Sequence, residues 1–107
     1  VASNLFIGTV TGEMASPTVP LNKHSAHGAA VAGMGISGTM DWNIEETFDD
    51  LGSGTASANW VDVSASDLSN ANASLTATTG ATGVRMAVTS YTDGAEIQFN
   101  VSYNPVR

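Results

Sequence analysis

Residues 39–48, with the sequence TMDWNIEETF, alternate between apolar and polar side chains. This period of two predicts a β-strand that turns one face toward the core. The core face would carry the apolar residues and one acid: Met40, Trp42, Ile44, Glu46 and Phe48. No window of the chain has the sustained period of about 3.6 residues that marks an amphipathic helix. The chain is therefore expected to consist almost entirely of β-strands and turns.

Weaker alternation predicts further strands at residues 4–11, 29–36, 60–65 and 74–79. Connectors rich in glycine, serine and asparagine separate them. Short strands with turns at such spacing are typical of an all-β fold, either an antiparallel β-sandwich or a barrel. A chain of 107 residues is of the size of one domain. We therefore expect a single antiparallel β-sandwich (or barrel-like) domain over residues 1–107.

The dipeptide Asp93-Gly94 is a two-residue hairpin signal, because both positions tolerate a positive φ. A turn there would bring the flanking segments into three apolar pairs: Val88 with Phe99, Met86 with Val101, and Val84 with Tyr103. The polar positions match in the same register, and a slip of one residue would destroy the match. The sequence thus predicts a hairpin over residues 84–103.

Residues 13–30, EMASPTVPLNKHSAHGAA, have little periodicity and contain two prolines and two histidines. We interpret this segment as an extended N-terminal loop or arm. It could reach a partner by adding a strand to an exposed sheet edge. The candidate partner-contact residues are those of this arm together with one tryptophan after a flexible loop: Pro17, Pro20, His24, His27 and Trp60.

The net charge is −7, from ten acids against Lys23, Arg85 and Arg107. Three scattered cations form no basic patch, so nucleic-acid binding is not expected. The acidity also argues against an anionic membrane surface, and no apolar stretch is long enough to cross a bilayer. Residues 1–10 hold no basic residue and no apolar run, so no signal peptide is expected there. Without cysteine, disulfides and thiolate metal sites are excluded.

Alanine, glycine, serine and threonine supply nearly half of the chain, and charged residues only 12%. Globular proteins contain about twice that share of charge. Such a composition predicts a thin core and a surface of small neutral groups. It favours a protein that works in an assembly, where neighbouring subunits supply the missing burial.

Gly33, Gly35 and Gly38 have the spacing of a dinucleotide-binding loop. That loop follows a strand and opens a helix, whose N-terminus holds the pyrophosphate. Here the glycines lead into the alternating segment 39–48, which predicts a strand. We expect a flat or bulged strand entrance, with no nucleotide site.

Four acids lie close together in the chain, and their oxygens are of the kind that calcium prefers: Glu45, Glu46, Asp49 and Asp50. Their spacing matches no calcium loop, so a surface turn is the favoured interpretation and calcium binding stays open. Glu46, on the core face, is predicted to accept hydrogen bonds from a neighbouring backbone or to pair with Arg85.

His24 and His27 have the i, i+3 spacing of zinc ligands on a helix, but no helical pattern surrounds them and a further ligand would be needed. We expect them to be loop residues. No G-x-S-x-G elbow or similar signature marks an activated serine. A carboxylate pair for glycoside hydrolysis stays open, because distances in space are invisible in a sequence. The sequence does not favour an enzyme and implies no cofactor.

Trp42 and Trp60 could serve as stacking platforms for a sugar ring. Trp42 shares its face with apolar residues and is expected in the core, whereas Trp60 is the better candidate for an exposed aromatic. Arg85 would lie opposite Ser102 in the predicted hairpin. We expect it to pair with an acid on an adjacent strand, with a partner contact as the alternative.

The segment 37–50, SGTMDWNIEETFDD, begins an ordered set of residues that resembles small all-β virion proteins of tailed bacteriophages, found among head and neck genes. The matching positions are Gly38, Thr39, Trp42, Ile44, Thr47, Phe48, Asp49 and Asp50, followed by Trp60, Arg85 and the run VTSYTDG at residues 88–94. The resemblance covers the last two thirds of the chain. Leu51 departs from it, standing where the family pattern has proline, and so does the small, apolar loop before Trp60.

The resemblance implies a virion structural protein, and head decoration (cement) on the outer surface of the capsid is the favoured role. Its partners would be the major capsid protein and further copies of itself, since symmetric self-association multiplies weak contacts. One alternative is a neck, tail or head-fibre component of the virion. An alternative from another class is a carbohydrate-binding β-sandwich, which predicts an exposed Trp60.

Overall fold

The computed structural model describes residues 3–12, 16–21, 29–49, 51 and 58–103. This part of the chain contains nine strands and no α-helix. The strands are β1 (Ser3–Thr11), β2 (Val19–Pro20), β3 (Ala30–Ser37), β4 (Met40–Thr47), β5 (Val61–Asp62), β6 (Leu68–Ser69), β7 (Ala73–Thr76), β8 (Gly83–Tyr91) and β9 (Glu96–Tyr103). The prediction of an all-β chain is confirmed.

The strands form two antiparallel sheets that pack face to face as a sandwich. Sheet A has the strand order β1-β9-β3-β7, and sheet B has the order β2-β8-β4-β5, with β6 also paired to β4. The largest fully buried side chains lie between the sheets and are led by Trp42, Phe99, Met40, Ile44 and Ile97. The predicted β-sandwich is therefore the observed architecture.

Strand β4 follows the predicted alternation on its core face, although Asn43 and Thr47 of its polar face are buried as well. Met40, Trp42 and Ile44 are completely buried, as the period of two predicts. The prediction was wrong for Phe48, whose side chain is 50% exposed. The strand ends at Thr47, so the residue after it no longer follows the alternation.

The predicted hairpin pairing of residues 84–103 was wrong. A turn does form at the expected place, since the Ala95 amide donates to the Thr92 carbonyl at 3.0 Å and Gly94 has a φ of 75°. The turn, however, carries the chain from sheet B to sheet A: β8 pairs with β4, and β9 pairs with β1 and β3. The apolar residues of the two strands face each other across the core, and their alternation would look the same in a hairpin.

Part of the predicted arm belongs to the domain's own sheet. In strand β2, Val19 pairs with Val84 and Pro20 with Gly83, and the Val19 side chain is only 5% exposed. The Met86 amide donates to Ser16 Oγ at 3.0 Å, which extends the contact toward the start of the segment. Residues 16–21 thus form a short edge of sheet B. Residues 13–15 and 22–28 lie outside the described residues.

The three glycines with the dinucleotide-loop spacing have structural tasks. Gly35 has a φ of 66° at the register shift between β3 and β9, and Gly38 has a φ of 80° in the turn to β4. A strand follows the turn, as the sequence predicts. Gly33 lies against the core, where a Cβ atom would come within 2.6 Å of the Trp42 ring and 2.8 Å of Ile97 Cδ1.

We expect Gly33→Ala to lower the free energy of unfolding by about 1–3 kcal/mol, because the new methyl group overlaps a tryptophan that is itself fully buried. Urea unfolding followed by circular dichroism measures the change. Gly35→Asn is the matched control: space around its Cβ is open, and asparagine tolerates positive φ. Equal destabilisation by the two variants would contradict the close packing of Gly33 on Trp42.

Candidate partner-binding surfaces

Charge is distributed very unequally between the two sheets. The four strands of sheet A contain one charged residue, Glu96, at the start of β9. The strands of sheet B contain four acids and one base: Asp41, Glu45, Glu46, Asp62 and Arg85. Among the described strands, those of sheet B are therefore acidic and those of sheet A are nearly uncharged.

The outer surface of sheet A is formed by side chains that alternate with the core residues, and we name it the neutral face. Its members are Ile7 and Thr9 of β1, Gln98, Asn100 and Ser102 of β9, Ala30, Ala32 and Met34 of β3, and Ser74 and Thr76 of β7. Two large apolar side chains stand out of it, Ile7 at 51% and Met34 at 38% exposure. None of these residues carries a charge, and the one charged residue on the same outer side is Glu96, at the start of β9.

Sheet B presents a different surface, centred on Arg85. Its Nε donates to Glu45 Oε1 at 2.7 Å, across the register pair that joins β8 to β4. Its guanidinium also lies 4.1 Å from the centre of the Trp60 ring. The expected pairing with an acid on an adjacent strand is confirmed, while the position opposite Ser102 was wrong because β8 and β9 lie in different sheets.

Trp60 is half-buried, and Arg85 covers one face of its ring. Its indole Nε1 is buried and has no hydrogen-bond partner among the described residues. A sugar-stacking platform needs an open aromatic face. The side of Trp60 that Arg85 covers cannot serve as one unless the arginine moves.

We expect Arg85→Ala to shift the fluorescence of Trp60 to longer wavelength and to cost about 0.5–1.5 kcal/mol of stability. The variant removes an ion pair that is partly solvated and a cation–π contact, each of which contributes modestly. Trp42 supplies a constant background because it is fully buried. Arg85→Lys is the matched control, since it keeps the charge and loses the planar guanidinium. An unchanged emission spectrum in Arg85→Ala would contradict the stacking.

The described acids of the candidate calcium cluster each have their own partner. Glu45 binds Arg85, and Glu46, only 5% exposed, accepts from the Thr78 amide and hydroxyl, both at 2.7 Å. Asp49 Oδ2 accepts from the amide and the side chain of Asn59 at 2.6 and 3.2 Å. The backbone-acceptor role expected for Glu46 is thus confirmed. In the described part of the chain no three acids or histidines converge on one point, and Asp50 lies outside it.

Asn43 is the centre of a buried hydrogen-bond network that the sequence pattern did not predict. It is 1% exposed, because residues 63–67 fold over it on the outer side of β4. Its Nδ2 donates to the Ser64 carbonyl at 3.1 Å and to Asp67 Oδ1 at 3.2 Å, while Oδ1 accepts from the amides of Ile44 and Ser64. The alternation places Asn43 on the polar side of β4. That side is buried because residues 63–67 pack over it, which the alternation does not indicate.

A cleft of about 240 Å³ lies beside the Arg85–Glu45 pair, between Gly12, Ser16 and residues 86–88 of β8. Each water molecule occupies about 30 Å³ in the liquid, so the cleft has room for about eight waters or one side chain of a partner. Its walls mix an ion pair with backbone and short apolar groups.

Three of the candidate partner-contact residues lie in the described part of the chain. Pro17 and Pro20 are exposed at the β2 edge of sheet B, and Trp60 is half-buried beneath Arg85. His24 and His27 lie outside the described residues. None of the three described residues belongs to the neutral face, which the sequence could not delimit.

Comparison with known proteins finds no matching family model, no matching curated protein and no matching solved structure. In the described residues, no helix has the length and apolar character needed to cross a membrane.

Proposed function

We propose that this chain is a structural protein of a tailed-bacteriophage virion, and that it decorates the outer surface of the capsid. Its partners are the major capsid protein and further copies of itself. The proposal combines the resemblance of residues 37–50, and of the ordered residues that follow them, with the surface properties of the folded domain.

The neutral face is the observation that carries this proposal. The centre of a protein–protein interface contains few charged residues and includes large apolar side chains that become buried on binding. The neutral face has both properties, with Ile7 and Met34 as exposed apolar groups among small uncharged ones. The chain has a net charge of −7, yet the described strands of sheet A carry one charged residue, at one end of β9, so this sheet is suited to contact with a partner.

The mode of action would be mechanical. Contacts across the junctions between capsid subunits exist only in the mature geometry, so binding stabilises the shell in that geometry. Each contact can be weak when many copies bind together, because linked binding sites gain a high effective concentration. The acidic sheet B faces solvent in this arrangement, and its charge keeps crowded copies from aggregating.

Two experiments test the proposal. The first is the copy number of this chain relative to the major capsid protein in purified particles, by quantitative mass spectrometry. Hundreds of copies in a simple ratio support decoration, and a dozen or fewer place the chain in the neck, tail or fibre instead. Absence from particles overturns the virion role and makes glycan binding the next hypothesis to test.

The second experiment locates the contact. We expect Met34→Lys, on the neutral face, to reduce binding to undecorated shells. Thr89→Lys, an exposed position on sheet B, is the matched control and should bind normally. A loss of binding in Thr89→Lys with normal binding in Met34→Lys would contradict the assignment of the neutral face.

A further inference from the structure

Strand β1 is the terminal strand of sheet A and has nine residues. One of its sides pairs with β9 from Ser3 to Thr11, and no described residue pairs with the other side. The open side of a strand of this length is a row of unpaired backbone donors and acceptors about 30 Å long. Such a row is a template for pairing with another strand.

The other terminal strands are short or protected. Strand β7 has four residues, and β2 and β5 have two each. Strand β2 contains a proline, Pro20, and β5 contains an acid, Asp62. Natural proteins protect sheet edges by these means: short strands, prolines and charged side chains. The sequence of β1, SNLFIGTVT, contains no proline and no charge. A bulge between Asn4 and Phe6 interrupts it only near its start.

Charge favours a second copy of this chain as the partner of β1. Two copies with net charge −7 repel each other wherever their acidic sides meet. Within the described residues, the strands of sheet A contain one charged residue, Glu96. It pairs with Thr11 at one end of β1. Among the described strands, the edge formed by β1 is thus the long one at which two copies can approach without bringing strand acids together.

We propose that two copies pair through their β1 strands, antiparallel and about a two-fold axis, so that the two copies of sheet A become one continuous sheet. Antiparallel pairing of two identical strands places the two-fold axis perpendicular to the sheet, so the outer side chains of both copies lie on the same face. The same edge of each copy then contacts itself, which closes the dimer. Centred on Gly8, the pairing places Ile7 of one copy opposite Thr9 of the other. Ile7, 51% exposed in the single chain, is then covered by its neighbour.

The inference rests on the self-association named in the proposed function, but its tests are separate. They use purified protein without particles, so failure of the dimer and failure of the virion role are distinguishable. A dimer of this kind also presents two neutral faces side by side, which doubles the uncharged area available to a shell.

Sedimentation velocity over a series of concentrations is the first test. We expect a reversible dimer for the natural chain and a dissociation constant about tenfold or more higher for Ile7→Lys, because the lysines of the two copies would meet near the axis. Met34→Lys is the matched control, since it adds the same charge to the same face but on β3, away from the edge. A monomeric natural chain, or dissociation by Met34→Lys and not by Ile7→Lys, would overturn the proposal.

Cross-linking tests the register. The chain has no cysteine, so each introduced cysteine is its only thiol. Mixing Ile7→Cys with Thr9→Cys under mild oxidation should give a mixed disulfide, because opposite Cβ atoms on paired strands lie about 4.5–5.5 Å apart. Mixing Ile7→Cys with Thr76→Cys, on the far edge of the sheet, should not. Equal yields from the two mixtures would contradict pairing at β1.

Discussion

Phe99→Ala is expected to lower the free energy of unfolding by about 3–5 kcal/mol. Phe99 is completely buried in the middle of β9, and its ring centre lies 5.4 Å from that of Phe6. Its register partners on both sides are glycines, Gly8 and Gly33, so neither partner has a side chain that could fill the space left by the ring. The loss is a large part of the total stability of about 5–15 kcal/mol that a domain has.

Phe48→Ala supplies the matched control for this prediction. The chemical change is identical, but the Phe48 ring is 50% exposed beyond the end of β4. We expect a cost of only about 1 kcal/mol, because only about half of the ring is withdrawn from water in the folded chain. Chemical denaturation of both variants measures the difference. Similar destabilisation by the two would show that the core does not lie where the structure places it.

Asn43→Asp is expected to cost about 2–4 kcal/mol at neutral pH, although it changes only one atom of the side chain. The amide nitrogen that now donates to Ser64 O and Asp67 Oδ1 becomes an oxygen that repels both. The site is 1% exposed, so water cannot compensate. Asn100→Asp, on the outer surface of sheet A, is the control and should be nearly neutral.

The cost of Asn43→Asp should depend on pH. Burial and the neighbouring acid raise the pKa of the new carboxyl in the folded state above its unfolded value. The folded state then binds the proton more tightly, so the difference from the natural chain is small below the unfolded pKa and grows as pH rises through the folded pKa. Unfolding measured at about pH 4 and about pH 7 should show a smaller difference at the lower pH. A difference independent of pH would contradict a buried charge.

Much of the fold could be predicted because hydrophobic alternation is a local property. The strands β1, β3 and β4 were located within a residue or two at their ends, and the core face of β4 was correct through Glu46. Strand β5 is shorter than predicted because residues 63–67 fold over Asn43 instead of extending the sheet, and β7 ends at Thr76, three residues before the predicted end. Strands β2 and β6, of two residues each, are too short to carry a pattern.

The surfaces were less accessible to prediction. The pairing of Arg85 with an acid was expected, but the stacking of Arg85 on Trp60 brings together strand β8 and a loop 25 positions earlier in the chain. The neutral face depends on which strands share a sheet. Individual strands without charge are visible in the sequence, but their assembly into one uncharged side is not.

The sequence by itself determined the class of the fold, the position of the main strands and the turn at Gly94, because each depends on neighbouring residues along the chain. Only the tertiary structure decided that this turn joins two sheets and that β1 forms a long, uncharged edge. Alternation states which side chains are buried, but two strands bury the same faces whether they lie side by side or on opposite sides of a core. The choice between these arrangements is made by packing, through close fits such as Trp42 against Gly33.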